Sequence, residues 1–474
     1  SVMAEGGINA ALNTKDENDS PEEHFTDTIK AACGLADPNA VWGMTQAAPE
    51  LVHWLLKLGV KFNMSGYDDV DLRNFGGQKK KRTAFAQSDT GKQIMTAMID
   101  AVRRKEASGM VERFSHHSFL TLRLCGNICC GCVIRDEYSQ ETVELPGDAV
   151  IVATGGMHGL FGNTTGSLSN TGEVTAELFR LGVPLANGEM IQYHPTTVKC
   201  GGKRMLISEA ARGEGGRLFA MKDGKQWYFM EEKYPELGNL MPRDITAREI
   251  WKVSHESEVF LDMTEISEEI ISNKLSGLAD DCMTYLHKDI RKEPVSVLPG
   301  IHYFMGGILV DEQHRTPIQN LYAAGECCAQ YHGANRLGGN SLLGALYGGR
   351  VAAKSACEQA DVVDLSCATQ IDFPPASQIS EIKQLNKVMQ ETMGVVRNEN
   401  TLLNGIQTVQ ALTGNLPLLG MAVLKSALAR KESRGAHWRE DYPKSNDNDY
   451  LKTTVARFDG KQIQISFVPV PERR

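Results

Sequence analysis

The chain has 474 residues, with 50 Lys and Arg against 59 Asp and Glu and a formal net charge of −9. This length exceeds one ordinary core and predicts two or three domains, and the acidic balance argues against nucleic acid as a partner. No run of about 18 apolar residues occurs, so any membrane association would need partner subunits. The 11 cysteines, odd in number and irregularly spaced, favour a reducing compartment over a disulfide framework.

The first segment of the chain is a Gly-rich loop, SVMAEGGINAAL, which leads into helices. Because neither an initiator Met nor a signal peptide precedes this loop, we expect the chain to begin within a domain. Helical periodicity predicts one helix over 48–61 that ends at Gly59 and a second over 92–105. The KKKR run at 79–82 is typical of a solvated face.

Alternating residues predict several strands over 111–152, the last of them in the apolar run DAVIVATGG at 148–156. A strand followed by Thr-Gly-Gly allows a nucleotide to approach the backbone at the carboxyl end of a sheet. Four cysteines lie in the same region: Cys125, Cys129, Cys130 and Cys132. Their segment alternates like a hairpin around Gly126 and Asn127, which directs neighbours to opposite faces. We therefore favour small buried thiols over an iron–sulfur or metal site.

The strand–helix rhythm is interrupted at 197–300, where charged and aromatic residues and short elements predict an inserted, smaller domain. A helix is predicted before it over 173–182, and a strand over 320–326 and a small-residue helix over 340–360 follow it. Three segments complete the chain: a linker at 361–375 with Pro374 and Pro375, charged helices over 378–436, and an alternating tail from 450.

Five turn-like segments place His, Arg or Glu beside Gly or Pro, and loop residues on a rigid scaffold often serve function. They are YHPTT (193–197), ISEAARGEGG (207–216), MPRDITAR (241–248), GIHYFMGG (300–307) and GECCAQYHGANRLGGNSL (325–342). Arginine binds carboxylates through a rigid bidentate fork, and hydride transfer needs an organic cofactor. The segments together indicate redox chemistry on a carboxylate. A zinc site is the alternative for the histidines, without an HExxH pattern to support it.

With RNFGGQKKKRTAFAQSDTG (73–91) and ARKESRGAHWREDYP (429–443), these segments resemble the flavoprotein family of fumarate reductases, succinate dehydrogenases and L-aspartate oxidases. The resemblance covers nearly the whole chain. It implies an α/β fold, a Rossmann-like FAD-binding domain with an inserted α+β capping domain and a C-terminal helical domain. The implied boundaries are 1–196 and 301–360 for the two parts of the FAD-binding domain, 197–300 for the capping domain, 361–445 for the helical domain and 446–474 for a C-terminal extension.

The resemblance implies two grips on a dicarboxylate. His194 and Ser208 would hold one carboxylate of the substrate, and the hydroxyl of Ser208 replaces that of the Thr usual in the family. His302 and Arg336 would hold the other carboxylate. Gripping both ends would position the central double bond over the flavin and twist one carboxylate out of conjugation.

The resemblance also implies how a proton is delivered. Arg243 corresponds in place to the family's proton donor, although arginine is normally far too weak an acid. It can serve only if a relay resupplies its proton, and Glu209 and Arg212 match that relay.

The implied cofactor is FAD, and no metal site is implied. The expected FAD contacts are a close approach at Gly6 and Gly7, a lining of Ala153, Thr154 and Gly155, Glu326 at the sugar-like chain, and Ser341 and Leu342 near the ring. One position departs from the family. Residues 171–174 read TGEV where the family has TGDG, so Glu173 keeps the charge of the usual Asp and adds a methylene.

Two larger departures concern the ends of the resemblance. The family's GxGxxG fingerprint is not found, so we expect an N-terminally truncated chain that lacks roughly thirty residues or more ahead of Ser1. In many members a histidine just before the Gly-rich loop binds FAD covalently. That position would precede Ser1, which leaves the mode of attachment open. The helical region near 405–420 also looks shorter than the family pattern, which would weaken contacts with an iron–sulfur partner.

Two residues help to choose within the family. Aspartate oxidases carry Glu where this chain has Phe75, and phenylalanine cannot pair with the ammonium group of aspartate. Glu5 is frequent in fumarate reductases, whereas many succinate dehydrogenases have Gln there, so fumarate reduction is favoured. L-Aspartate oxidase and a non-catalytic fragment without FAD are the alternatives.

The implied partners are fumarate or succinate, an iron–sulfur subunit and, as a further option, membrane-anchor subunits. The expected location is the cytoplasmic side of the inner membrane, to which partner subunits would attach the protein. A soluble cytoplasmic protein is the alternative.

Overall fold

The computed structural model describes residues 2–67, 69–360, 373 and 378–474. The predicted linker at 361–375 and the beginning of the predicted helical domain therefore lie almost wholly outside the described residues. No helix of the described ranges is long and apolar enough to cross a bilayer. The domain limits given above stay predictions.

The first segment consists of a small antiparallel sheet and three helices. Its elements are β1 (Ile8–Asn9), α1 (Pro21–Ala31), α2 (Pro38–Leu58), β2 (Leu72–Arg73), β3 (Thr83–Ala84) and α3 (Thr90–Ala107). The predicted helix end at Gly59 is confirmed, because Gly59 caps α2 in the left-handed region with a φ of 99°. Asp37 caps the other end of α2 and accepts a hydrogen bond from Asn39 N, so the helix begins earlier than its periodicity predicts.

The KKKR run is only partly a solvated face. Lys79 and Lys81 are exposed, but the side chain of Arg82 is fully buried. Its guanidinium lies 2.8 Å from Asp19 Oδ1 and 2.9 Å from Asp27 Oδ2, and both of these carboxylates are buried too. The prediction is wrong for Arg82 because a charge run shows no period from which an ion pair across the chain could be recognised.

A three-stranded meander follows, made of β4 (His117–Cys125), β5 (Ile128–Asp136) and β6 (Thr142–Pro146). The predicted hairpin is confirmed, since Cys125 pairs with Ile128 across the turn. Cys129, Cys130 and Cys132 are free thiols, the first two buried, and burial raises the pKa of Cys129 to about 11. Cys125 corrects the expectation of free thiols throughout, because it is disulfide-bonded. Within the described ranges no cluster of His, Cys, Asp or Glu could hold a metal ion.

The central part begins with β7 (Val150–Val152) and α4 (Glu173–Arg180), which ends just before Gly182 as predicted. The next helices and strands are β8 (Leu185–Ala186), β9 (Ile191–Cys200), β10 (Lys203–Leu206), α5 (Glu209–Gly213), β11 (Arg217–Lys222), β12 (Lys225–Trp227), α6 (Phe229–Lys233), α7 (Arg243–Val253), β13 (Val259–Asp262), α8 (Glu268–Lys274), α9 (Ser276–Asp281), β14 (Val295–Ser296) and β15 (Leu298–Phe304). One sheet has the order β12-β11-β13-β14, and another places β9 between β10 and β15.

The chain then returns to the nucleotide side through β16 (Gly307–Leu309), β17 (Leu321–Ala323), β18 (Cys328–Ala329) and the long helix α10 (Asn340–Gln359). Strand β17 lies parallel to β7, with Ala323 opposite Val152. This pairing confirms the strands predicted at 148–156 and 320–326 and brings their carboxyl ends to one edge. Helix α10 confirms the helix predicted at 340–360.

The last part contains α11 (Ile379–Thr392), α12 (Glu399–Val409), α13 (Asn415–Ala429), α14 (Asp447–Tyr450) and the hairpin β19 (Lys452–Phe458) and β20 (Ile463–Pro469). The predicted interruption near 414–417 is confirmed, because α13 begins after Gly414. The hairpin extends a five-stranded sheet of order β18-β16-β8-β19-β20. A core of Phe161, Phe179 and Phe304 packs against α11 and α13, so the helices support the strand that carries His302.

We predict that Arg82→Met destabilises the protein by about 3–5 kcal/mol, because it leaves two buried carboxylates without their counter-ion. Chemical denaturation monitored by circular dichroism measures the change in the free energy of unfolding. The matched control is Lys81→Met, which removes a neighbouring exposed cation and should change that free energy by less than about 1 kcal/mol. Equal effects of the two substitutions would contradict a structural role for the buried pair.

Candidate active site

Two histidines face each other on paired strands. The antiparallel register of β9 and β15 places Gly300 opposite His194, which brings the rings of His194 and His302 to 5.1 Å between centroids. His194 Nδ1 lies 3.0 Å from the carbonyl oxygen of Thr196, and His302 Nδ1 lies 2.8 Å from the hydroxyl of Thr165. Both rings are thus oriented through Nδ1. His194 Nε2 is buried and has no hydrogen-bond partner among the described residues.

The electrostatic surroundings keep these imidazoles neutral. Burial, followed by the positive charge of Arg243, lowers the pKa of both His194 and His302 well below the usual value. An anion bound between the rings would oppose this positive field. The two neutral histidines can therefore make polar contacts with an anion without adding to the positive charge of the neighbouring arginines.

A buried ion pair lies beside the histidines. Arg243, the first residue of α7, donates from Nε and Nη2 to Glu209 Oε2 at 2.8 and 2.6 Å. Glu209 Oε1 accepts from Gly76 N at 3.1 Å and lies 3.6 Å from Arg212 Nη2. Burial opposes ionisation of Glu209, but the two guanidiniums outweigh it and hold the pKa of Glu209 below its usual value. The structure thus brings together the three residues of the predicted relay.

Ser208 lies next to this pair as the N-cap of α5. Its Oγ accepts a hydrogen bond from Ala210 N at 3.3 Å, as capping hydroxyls do. The hydroxyl proton is not used by this contact and can be donated to a carboxylate. Ser208 is buried, as a direct ligand of a bound substrate would be.

Arg336 completes the predicted grips from the loop before α10. Its guanidinium forms no hydrogen bond within the described ranges, and Nε is buried. Burial, and then repulsion from Arg243, lowers the pKa of Arg336 to about 9. Two arginines whose charges repel each other in a buried site are what a dianionic ligand would stabilise.

Gln192, which no sequence motif indicated, ties these groups together. Its side-chain oxygen accepts from Arg243 Nη1 at 3.1 Å, and its Nε2 donates to the carbonyl oxygen of Arg336 at 2.9 Å. Gln192 therefore fixes the spacing between the two arginines. Its position directly before the YH of YHPTT was the available signal, but a buried glutamine has no chemistry that distinguishes it in a sequence.

Phe75 lies against the same site. It is 2% exposed, and a Cβ on Gly6 or Gly338 would come within about 3 Å of its side chain. The following residue, Gly76, donates to Glu209. Phe75 thus gives an apolar wall beside the ion pair, with no carboxylate to receive an ammonium group.

The cofactor half of the site begins where β7 and β17 end side by side. Glu326 Oε1 accepts from Phe304 N at 3.0 Å and lies 3.6 Å from His158 Nε2. A Cβ on Gly156 would meet both Glu326 Oε1 and Phe304 Cδ2 at 2.7 Å, so glycine allows this close approach without a shift of the Phe304 ring. Glu326 was predicted from the sequence, whereas His158 was not. His158 is buried, and its Nδ1 lies 2.9 Å from the hydroxyl oxygen of Thr164.

Glycines also shape the opposite side of this half. Gly7 has a φ of 131°, and a Cβ there would lie 2.5 Å from the carbonyl oxygen of Ala84. Arg73 donates to the carbonyl oxygens of Gly6 and Glu5, which holds the Gly-rich loop over Phe75. Glu5 itself is buried, and its Oε2 has no partner in the described part of the chain.

The remaining predicted cofactor residues differ in their surroundings. Ala153 and Thr154 are exposed at the end of β7, and Gly155 adopts a φ of 76°. Ser341 and Leu342 lie in the first turn of α10, where backbone N–H groups favour an anion or a polar ring edge. Glu173, the first residue of α4, is exposed and accepts a hydrogen bond from the Thr171 hydroxyl at 3.3 Å. The close glycine approaches and the unpartnered carboxyl of Glu5 fit a large planar cofactor.

Comparisons with known proteins agree with this geometry. Residues 1–342 match the FAD binding domain family, and residues 412–473 match the family described as fumarate reductase flavoprotein C-term. The succinate dehydrogenase flavoprotein subunit of Bacillus subtilis is 37% identical over an alignment of 538 positions, which covers 100% of this chain and 92% of that protein. The L-aspartate oxidase of a Nostoc species is 32% identical over 96% of this chain and 87% of its own.

Solved structures give the same result. A quinol fumarate reductase chain from E. coli superposes with a TM-score of 0.89 at 27% identity, over 99% of this chain and 89% of that chain. The Mycobacterium smegmatis Sdh1 complex matches with a TM-score of 0.83 at 28% identity, over 100% and 88% of the two chains. Fold and site therefore define an FAD-dependent oxidoreductase. The chain belongs to the succinate dehydrogenase and fumarate reductase flavoprotein family, to which L-aspartate oxidases are related.

We predict that Glu5→Gln changes the pH dependence of stability. Burial and the charge of Asp281 raise the pKa of Glu5 from 4.5 to about 8. The unfolded chain loses this proton near pH 4.5 and the folded chain only near pH 8, so stability falls as pH rises through that window. Glu5→Gln removes this loss. The Tm of Glu5→Gln minus the Tm of the parent should therefore increase as the pH is raised from 5 to 8.5.

Differential scanning calorimetry at several pH values measures this difference in Tm. The exposed Glu141→Gln is the matched control and should follow the parent at every pH. A constant difference between Glu5→Gln and the parent across the window would show that Glu5 does not hold its proton in the folded protein.

Proposed function

We propose that this flavoprotein interconverts fumarate and succinate, with fumarate reduction favoured. One observation carries the proposal. His194, His302 and Arg336 surround Arg243, and both His194 Nε2 and Arg336 Nε are buried without a protein partner in the described ranges. Buried polar atoms are normally satisfied. A small dianion would satisfy these groups and neutralise the facing guanidiniums.

The two grips act at opposite ends of such a dianion. His194 and the free hydroxyl proton of Ser208 bind one carboxylate, and His302 and the Arg336 fork bind the other. Holding both ends fixes the carbon–carbon bond between them relative to Arg243 and the cofactor. This orientation is the main contribution of the binding residues to the rate.

FAD, when bound, supplies the hydride for reduction or accepts it in oxidation. The residues that would hold it are Gly6, Gly7, Gly155, Glu326 and the first turn of α10. Arg243 gives the second hydrogen of the reduction as a proton from its guanidinium to the other carbon of the double bond. Glu209, 2.6 Å away, returns a proton to Arg243, and Arg212 supplies Glu209. In succinate oxidation the proton runs the other way.

The direction is proposed from Glu5. A carboxyl with a pKa near 8 is neutral at pH 7, so it adds no negative charge beside the cofactor and does not disfavour electron-rich flavin. Phe75 supports fumarate over L-aspartate, because an aspartate ammonium group would lie against an apolar wall. A carboxylate at position 75 would be needed to pair with that group.

The partners are proposed from the names of the relatives. Several of these proteins are called flavoprotein subunits, among them the 8-methylmenaquinol:fumarate reductase subunit of Wolinella succinogenes, which is 31% identical over 100% of this chain and 86% of its own. We infer that this chain also works within a complex, with an iron–sulfur subunit as electron partner. Membrane-anchor subunits would place it on the cytoplasmic side of the inner membrane.

We predict that Arg243→Ala lowers fumarate reduction by at least about 100-fold, the usual size of a lost general acid. The assay follows oxidation of a reduced viologen dye by fumarate under anaerobic conditions. FAD content, read from the visible absorbance of the purified protein, should equal that of the parent, since Arg243 contacts Glu209 and Gln192.

The matched control is Arg248→Ala, which removes a second buried arginine of α7. Arg248 stacks on Trp438 at 4.0 Å, away from Glu209, so the rate should stay within about threefold of the parent. An Arg243→Ala enzyme with more than a tenth of the parent rate would rule out Arg243 as the proton donor.

A further inference from the structure

The support beneath Arg336 is aromatic. The guanidinium carbon of Arg336 lies 4.6 Å from the centroid of the Tyr303 ring, within the range of a cation–π contact. Tyr303 follows His302 on β15 and is 7% exposed. Strand β15 therefore carries both His302, a proposed ligand of the second carboxylate, and Tyr303, which supports Arg336, the other proposed ligand of that carboxylate.

This support differs from that of the other site arginines. Arg243 uses Nε, Nη1 and Nη2 in hydrogen bonds to Glu209 and Gln192, and Arg212 donates from Nη1 to Asn239. A ring face attracts the cation without accepting its N–H groups in the plane. Arg336 is thereby oriented while its N–H donors stay available, which suits bidentate binding of a carboxylate.

The tyrosine is itself held on its other sides. Its ring meets that of His332 edge to face at 5.2 Å, and burial lowers the pKa of His332 to about 3, so no second cation competes for the ring. Tyr303 also packs with Leu35, Met190 and Ala334. Because Gln192 holds the backbone of Arg336, both ends of the arginine have a fixed position.

We propose that Tyr303 is a positioning residue that orients Arg336 for the second carboxylate of the substrate. The proposal rests on the proposed function and goes beyond it by adding a residue that does not touch the substrate. It follows that the ring, and not the hydroxyl, is the essential part of Tyr303.

The test measures binding of malonate, a dicarboxylate that cannot be reduced, through the change it causes in the flavin absorbance of the FAD-bound protein. Tyr303→Leu should raise the Kd of malonate and the KM of fumarate by about tenfold. The kcat should stay within about threefold, because the same contact is made before and during the reaction. Tyr303→Phe keeps the ring and should restore both constants to within about threefold of the parent.

Two further variants separate positioning from general damage. In an Arg336→Ala background, Tyr303→Leu should change the malonate Kd by less than about twofold, since its effect runs through Arg336. Tyr228→Leu removes another tyrosine that lies against an arginine, since the guanidinium carbon of Arg217 is 3.7 Å from the Tyr228 ring centroid. This pair lies in the predicted capping domain, so the substitution should leave the Kd of malonate and the KM of fumarate unchanged.

Malonate binding by Tyr303→Leu equal to that of the parent would overturn the positioning role, as would an undiminished effect of Tyr303→Leu in the Arg336→Ala background. A parent protein that binds FAD but neither malonate nor fumarate would instead contradict the proposed function.

Discussion

The carboxylate of Glu209 is the group on which the site depends. One oxygen binds Arg243 and the other binds the backbone N–H of Gly76, so a single side chain joins α7 to the loop that carries Phe75. Burying these charges is costly, and only close pairing with full hydrogen bonding offsets that cost. Gln192 extends the arrangement to Arg336, and the arginine charge that Glu209 does not neutralise fits the dianionic substrate proposed for this site.

The sheet between the two halves explains why cofactor and substrate groups meet. Strand β15 carries His302, a proposed substrate ligand, and Tyr303, whose ring lies against Arg336. Its last residue, Phe304, donates its backbone N–H to Glu326 on the proposed cofactor side. Thr164 and Thr165, consecutive in the chain, bind His158 and His302 respectively. A small movement of this strand or loop would therefore shift residues in both halves, which is consistent with the proposed hydride transfer between them.

Part of this arrangement could be predicted from residue types, but the prediction that these segments are turns is wrong for His194 and His302, which lie on β9 and β15, and for Arg243, which begins α7. The segments that contain His194, His302, Arg336, Arg243 and Glu209 stood out because they combine histidine, arginine or glutamate with glycine or proline. The family resemblance then implied the individual roles. The helices ending at Gly59 and Gly182 followed from periodicity and a left-handed cap. Gln192, Thr165 and Tyr303 could not be found in this way, because they act through contacts made by residues distant in sequence and their types are common in any core. The burial of Arg82 could not be predicted for the same reason, since its partners Asp19 and Asp27 lie more than fifty positions away in the sequence.

The most direct test of the account is an anaerobic reaction of the FAD-bound protein after its flavin has been reduced by light. The account predicts that fumarate restores the oxidised flavin spectrum rapidly and that one succinate is formed for each flavin. L-Aspartate added to the oxidised protein should leave the spectrum unchanged, because Phe75 offers no partner for its ammonium group. Reduction of the oxidised flavin by L-aspartate, or a reduced flavin that fumarate does not reoxidise, would contradict the central claim.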